Sequence, residues 1–73
     1  RILQTLALQH TATAKEIALA EVPGATASDI YEFETDRDDG RLEYEIEFKT
    51  GGWEYEYTIS AADGTILDYE RDD

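Results

Sequence analysis

The sequence predicts an α+β fold: one main N-terminal helix, with a short helix expected ahead of it, packed on a four-stranded antiparallel meander in the order 1-2-3-4. Three observations predict it. The first is the stretch Arg41 to Ser60, RLEYEIEFKTGGWEYEYTIS, in which two strictly alternating runs flank a Gly-Gly pair. The second is a turn signal on either side of it, Asp39-Gly40 before and Ala62-Asp63-Gly64 after. The third is an alanine-rich run with helical spacing upstream, ended by Pro23-Gly24.

Residues 1–10, RILQTLALQH, carry Ile2, Leu3, Leu6 and Ala7 at helical spacing without a clear cap, and are expected to be a short helix or a linker from a preceding region. From Thr13 the pattern Thr-Ala-Lys-Glu has the form of a capping box, with Thr11 as a competing cap. Ala14, Ile17, Ala18 and Val22 then share one side of a helix, with Leu19 beside them. Proline cannot continue the hydrogen bonding and glycine tolerates a left-handed conformation, so Val22-Pro23-Gly24 ends the helix.

A first strand is expected over Asp29 to Asp36, with Tyr31, Phe33 and Thr35 on one face and Ile30 misplaced on the other. Centring a turn on Asp39-Gly40 sets Phe33 against Ile46 and Tyr31 against Phe48. Centring the next on Gly51-Gly52 pairs Phe48 with Tyr55, Ile46 with Tyr57 and Tyr44 with Ile59. A three-residue loop at 62–64 matches Ile59 with Leu67 and Tyr57 with Tyr69. The apolar face so defined holds Tyr31, Phe33, Leu42, Tyr44, Ile46, Phe48, Trp53, Tyr55, Tyr57, Ile59, Leu67 and Tyr69, against Ile17, Ala18, Leu19 and Val22 of the helix. Slipping a strand by one residue would bury glutamates, which fixes the register.

Length and charge narrow the function. A chain of 73 residues holds one domain with one small core, at the size where independent folding is marginal. It begins at Arg1 and is expected to be a piece of a longer protein. Eighteen acidic residues against six basic ones give a net charge of −12, which argues against nucleic acid or an anionic membrane as partner. No apolar run approaches the roughly 20 residues that span a bilayer, so no membrane insertion by this segment is expected. Without cysteine there is neither a disulfide nor a thiolate metal site.

The ordered set ThrAlaLysGluIleAlaLeuAla at 13–20, ProGlyAla at 23–25, AspAspGlyArgLeuGluTyrGluIleGluPhe at 38–48, GluTyrGluTyrThrIle at 54–59 and AspGlyThrIleLeuAspTyrGlu at 63–70 resembles a PepSY domain. The resemblance covers residues 11 to 71, and residues 11–73 are taken as the domain. It implies a module of secreted or cell-envelope proteins, found in propeptides of zinc metallopeptidases and in bacterial membrane or lipid-anchored proteins. The function it implies is non-catalytic: binding that regulates or inhibits a peptidase. The partner would be a peptidase or another envelope protein, the location extracellular or the cell envelope. The family has no catalytic residues to carry over, and no cofactor is expected.

The residues themselves agree that the chain is not an enzyme. The lone His10 is far in sequence from Ser28 and Ser60, so no nucleophile has a base beside it, and no second histidine completes a metal site. Asp36, Asp38 and Asp39, with Glu47 at the twelfth position, imitate a calcium loop, but Arg41 stands where that loop requires glycine. A charged hairpin turn accounts for them.

The feature with content is the polar face, which collects Glu32, Glu34, Asp36, Glu43, Glu45, Glu47, Glu54, Glu56, Asp68 and Glu70, with Lys49 the sole base. A solvated face that discourages aggregation is one explanation. A docking surface for a basic partner or for cations, the latter centred on Glu43, Glu45, Glu47, Glu54 and Glu56 within a structural envelope module, is the other. Trp53, at a strand end after Gly52, is either a core-rim residue or a binding hot spot.

Overall fold

A computed structural model describes residues 13–73. Helix α1 (residues 13–20) is followed by a 3₁₀ turn at Ala27–Asp29 and strands β1 (Ile30–Asp38), β2 (Arg41–Thr50), β3 (Trp53–Ser60) and β4 (Ile66–Asp72). The four strands form one antiparallel sheet in the order β1-β2-β3-β4, as the turn signals require. The short helix expected within residues 1–10 lies outside the described residues.

Helix α1 reaches the sheet through its smallest side chains. Ala14, Ala18 and Val22 are buried in one cluster with Tyr44, Ile46, Phe48, Tyr57 and Ile59, while Ile17 and Leu19 pack at its margin. Thr13 is already helical and so is not the cap; Thr11 lies outside the described residues. At the other end the last turn tightens, with Glu21 N–H donating to Ala18 C=O at 3.2 Å and Val22 N–H to Leu19 C=O at 3.1 Å. Beyond Gly24 (φ 92°) the loop contains a turn that the sequence reading missed. Asp29 Oδ2 accepts from Thr26 N–H at 2.8 Å and Asp29 N–H donates to Thr26 C=O at 2.9 Å, a reciprocal arrangement that aims the chain into β1.

The β2–β3 hairpin has the predicted register throughout, from Thr50 opposite Trp53 to Tyr44 opposite Ile59. Its turn residues Gly51 and Gly52 have φ of 61° and 83°, a conformation open to glycine without strain. Ile46, Phe48 and Ile59 are completely enclosed. Burial of each contributes about 1.5–3 kcal/mol relative to exposure.

Two pairings differ from expectation, both through an extra residue in an edge strand. In β1 a bulge between Ile30 and Glu32 sets Ile30 opposite Phe48, where Tyr31 was expected, and turns Tyr31 to the polar face. Isoleucine has only apolar surface to hide. Tyrosine carries a hydroxyl that needs a partner, so the bulge places each where it is better satisfied. In β4 the irregularity sets Ile66, not Leu67, opposite Ile59, while Tyr57 still meets Tyr69. The connecting turn is wider than three residues because Ser60 N–H donates to Thr65 C=O at 2.8 Å. Asp63 Oδ1 accepts from Thr65 N–H at 3.0 Å and Ser60 Oγ from Ala62 N–H at 3.2 Å, so polar side chains hold the wider turn.

Candidate interaction surface

The sheet offers two surfaces, one on each side. On the side away from α1, Glu32, Glu47, Glu56 and Glu70 stand directly opposite one another across all four strands. Beside that row run Glu34 and Glu45, opposite each other, and then Thr58 and Asp68. Glu43 pairs with Asp36, and Glu54 forms the ion pair with Lys49 Nζ at 3.5 Å.

The geometry of a sheet spreads these carboxylates over a surface, although Glu32 and Glu34 lean together to share a hydrogen bond. Backbone positions two residues apart on a strand are about 7 Å from one another, whereas calcium needs six to eight oxygens converging at about 2.3–2.6 Å. Glu43, Glu45, Glu47, Glu54 and Glu56 are therefore brought onto one face without being brought to one point. Among the described residues no three or more His, Asp or Glu side chains are arranged to hold a metal ion. Asp36 and Glu43 sit in paired strands and Asp39 (φ 54°) in the hairpin turn, so no loop wraps an ion there.

The row does change proton affinity. A hydrogen bond shared with the Glu34 carboxyl, with the charge of Glu47 next in weight, raises the Glu32 pKa from 4.5 to about 7. Glu45 is raised by partial burial and by Asp36, Glu34, Glu43 and Glu47; Glu56 is raised by partial burial and by Glu47, Glu70, Glu45 and Asp68. The displaced Tyr31 joins this face, donating its hydroxyl to Glu47 Oε1 at 3.1 Å, with Lys49 Nζ 5.8 Å from its ring centroid. Desolvation and then this bond raise the Tyr31 pKa.

On the helix side a file of rings crosses the sheet: Tyr55 on Phe48 (5.2 Å between centroids), Phe48 on Tyr57 (5.9 Å) and Tyr57 on Tyr69 (5.4 Å). The helix covers only part of it. An α-helix is about 10 Å across and strands are spaced about 4.8 Å, so one helix roofs about two strands. Lys15 extends the roof over β1, its Nζ 4.7 Å from the Phe33 ring centroid. Among the described residues none does so over β4, where Tyr69 is 61% exposed. An open groove of ≈ 530 Å³ results, with Tyr55, Tyr57, Ile66 and Tyr69 on its floor and Glu21 and Arg71 on its walls.

Trp53 stands next to Arg71 on the same side of the sheet, outside the groove lining, and is 36% exposed. One face of its ring is covered by the Arg71 guanidinium, 4.3 Å from the centroid. Trp53 is thus exposed beside Arg71 and is not among the residues packed against the core. The groove itself was missed by sequence reasoning, although the width of one helix against four strands among the described residues contains the signal.

With this geometry in place, comparison with known proteins identifies the family. Residues 11–70 match the model of the PepSY family, the peptidase propeptide and YPEB domain. The chain belongs to the PepSY family. This PepSY domain is also 44% identical over 61 residues to the uncharacterized protein YkoJ of Bacillus subtilis (strain 168), a match that covers 82% of the chain. It spans about a third (34%) of the length of that relative. No solved structure matches. PepSY domains are typically non-catalytic and occur in secreted or envelope proteins. Among the described residues no helix is long and apolar enough to cross a membrane.

Proposed function

We propose that this PepSY domain is a non-catalytic binding module that regulates or inhibits a peptidase, or holds another envelope protein, through the helix side of its β3–β4 hairpin. The observation that carries this reading is the uncovered aromatic groove. Of the four large apolar side chains exposed among the described residues, Trp53, Leu67 and Tyr69 belong to β3 and β4, and tyrosine and tryptophan are the residue types that dominate binding hot spots. The family supports a peptidase-related role, since its description is that of a peptidase propeptide. The extracellular or envelope location follows from the same membership and is proposed with it.

The test is photo-crosslinking. With a photoreactive residue in place of Tyr69, the domain is expected to trap a peptidase or its precursor, and addition of the domain is expected to slow that peptidase on a peptide substrate. A partner trapped equally well from Glu34 on the opposite face, or a peptidase whose rate is unchanged by saturating domain, would overturn the reading.

A further inference from the structure

Among the described residues β4 pairs on one side only; we propose that this edge receives a fifth strand from a partner, and that this strand alternates basic with apolar residues. The proposal rests on the binding-module reading above and names the chemistry of the partner.

The two sides of β4 ask for different neighbours. Asp68, Glu70 and Asp72 lie opposite Thr58, Glu56 and Glu54, and so point to the acidic side of the sheet. Tyr69 and Ile66 lie opposite Tyr57 and Ile59 and point to the groove. A strand pairing with β4 brings its side chains within about 4.5–5.5 Å (Cβ to Cβ) of these, alternately on one side and the other. Lysine or arginine beside Glu70 would end the row of glutamates with an opposite charge, and apolar residues beside Tyr69 would extend the groove floor. Main-chain bonds to the edge would supply affinity and the alternation would supply specificity.

The other edge does not fit the same occupant. Strand β1 is bulged at Tyr31 as β4 is at Leu67, but its inner residue Phe33 already has the Lys15 cation over it. A second copy of this chain does not fit either. Two β4 strands paired antiparallel would set the carboxylates of Asp68, Glu70 and Asp72 against one another, the arrangement by which edge strands resist self-association. The occupant is therefore a partner of opposite charge.

The chain is titrated with an amidated peptide of alternating lysine and valine, and with a peptide of the same composition whose lysines are grouped. Binding is read by Trp53 fluorescence and by amide exchange. The alternating peptide is expected to bind at least about tenfold more tightly at low salt, because grouping the lysines forces them onto both faces. Its binding should slow exchange of β4 amides. Glu70→Gln should weaken it about two- to fivefold, the range for an exposed ion pair. Equal binding of the two peptides, protection away from β4, no binding, or a chain that is dimeric at neutral pH would each overturn the proposal. Failure of the two readings is separable. A peptidase trapped at Tyr69 while β4 amides exchange freely would sink the edge and spare the module. Peptide bound on β4 with no peptidase trapped would do the reverse.

Discussion

Ile46 sits at the centre of the β2–β3 pairing, fully enclosed and opposite Tyr57, so its truncation removes contacts on every side. Ile46→Ala is expected to cost about 2–5 kcal/mol, read as a lower urea midpoint with an unchanged slope. Gly64 makes a sharper test of the join between helix and turn. Its φ is 78°, and a Cβ there would lie 3.0 Å from Ile17 Cδ1. Gly64→Ala is therefore expected to destabilise by about 1–2 kcal/mol from the backbone alone, with a further increment from the Ile17 contact. Ile17→Val, which removes that methyl, should recover only the increment, so the double variant should melt above Gly64→Ala and below the parent. A double variant no better than Gly64→Ala would show that the contact is relieved by other means. The displaced pair in β1 gives a third comparison. Ile30→Ala should cost more than Tyr31→Ala, the reverse of what simple alternation predicts; equal losses would contradict the bulge.

At the scale of elements, what alternation alone decides was readable in advance. The register of β2 with β3 follows from apolar residues at every second position and a Gly-Gly turn, and it holds over the full length of both strands. Of the expected apolar face Tyr44, Ile46, Phe48, Tyr57 and Ile59 are buried, whereas Tyr31, Trp53, Leu67 and Tyr69 are exposed. What was not readable is where a strand carries one residue too many. Either Tyr31 or Ile30 could face Phe48, and either Leu67 or Ile66 could face Ile59; the choice was made by hydroxyl satisfaction in one case and by turn hydrogen bonds from Ser60 and Asp63 in the other. The candidate residues show the same division. Glu45, Glu47 and Glu56 were placed on the right face by counting, but the groove beside Tyr69 depends on how far one helix reaches, which period-two counting does not express.

At the scale of the whole molecule the acidic side makes stability depend on pH in an unusual direction. Glu32, Glu45 and Glu56 have folded pKa values raised above those of ordinary glutamate, so folding favours their protonated forms. The folded chain then binds more protons than the unfolded chain in the window from 4.5 to about 7, where Glu32 is placed, and stability falls as pH rises through it. Asp63 has the opposite sign, its pKa lowered by hydrogen bonds from Thr65, so its contribution is lost only on acidification below the ordinary aspartate range. The melting temperature should therefore rise as pH falls from about 8 to about 5 and turn down below about 4. Glu32→Gln should flatten the rise. Added salt should raise the melting temperature at pH 8 and have little effect at pH 5, because only ionised carboxylates repel one another. A melting temperature that is constant or increases from pH 5 to pH 8 would contradict the crowding of like charges.

The ring file from Tyr55 through Phe48 and Tyr57 to Tyr69 links three neighbouring strands by near-parallel stacking. Chromophores held in such an array exchange excitation, so the far-ultraviolet dichroism of this domain is expected to carry an aromatic band superimposed on its peptide signal. That band reports strand alignment separately from helix content. In a refolding experiment it would time the zippering of β2, β3 and β4 against the docking of the alanine face, two events that peptide dichroism alone would merge.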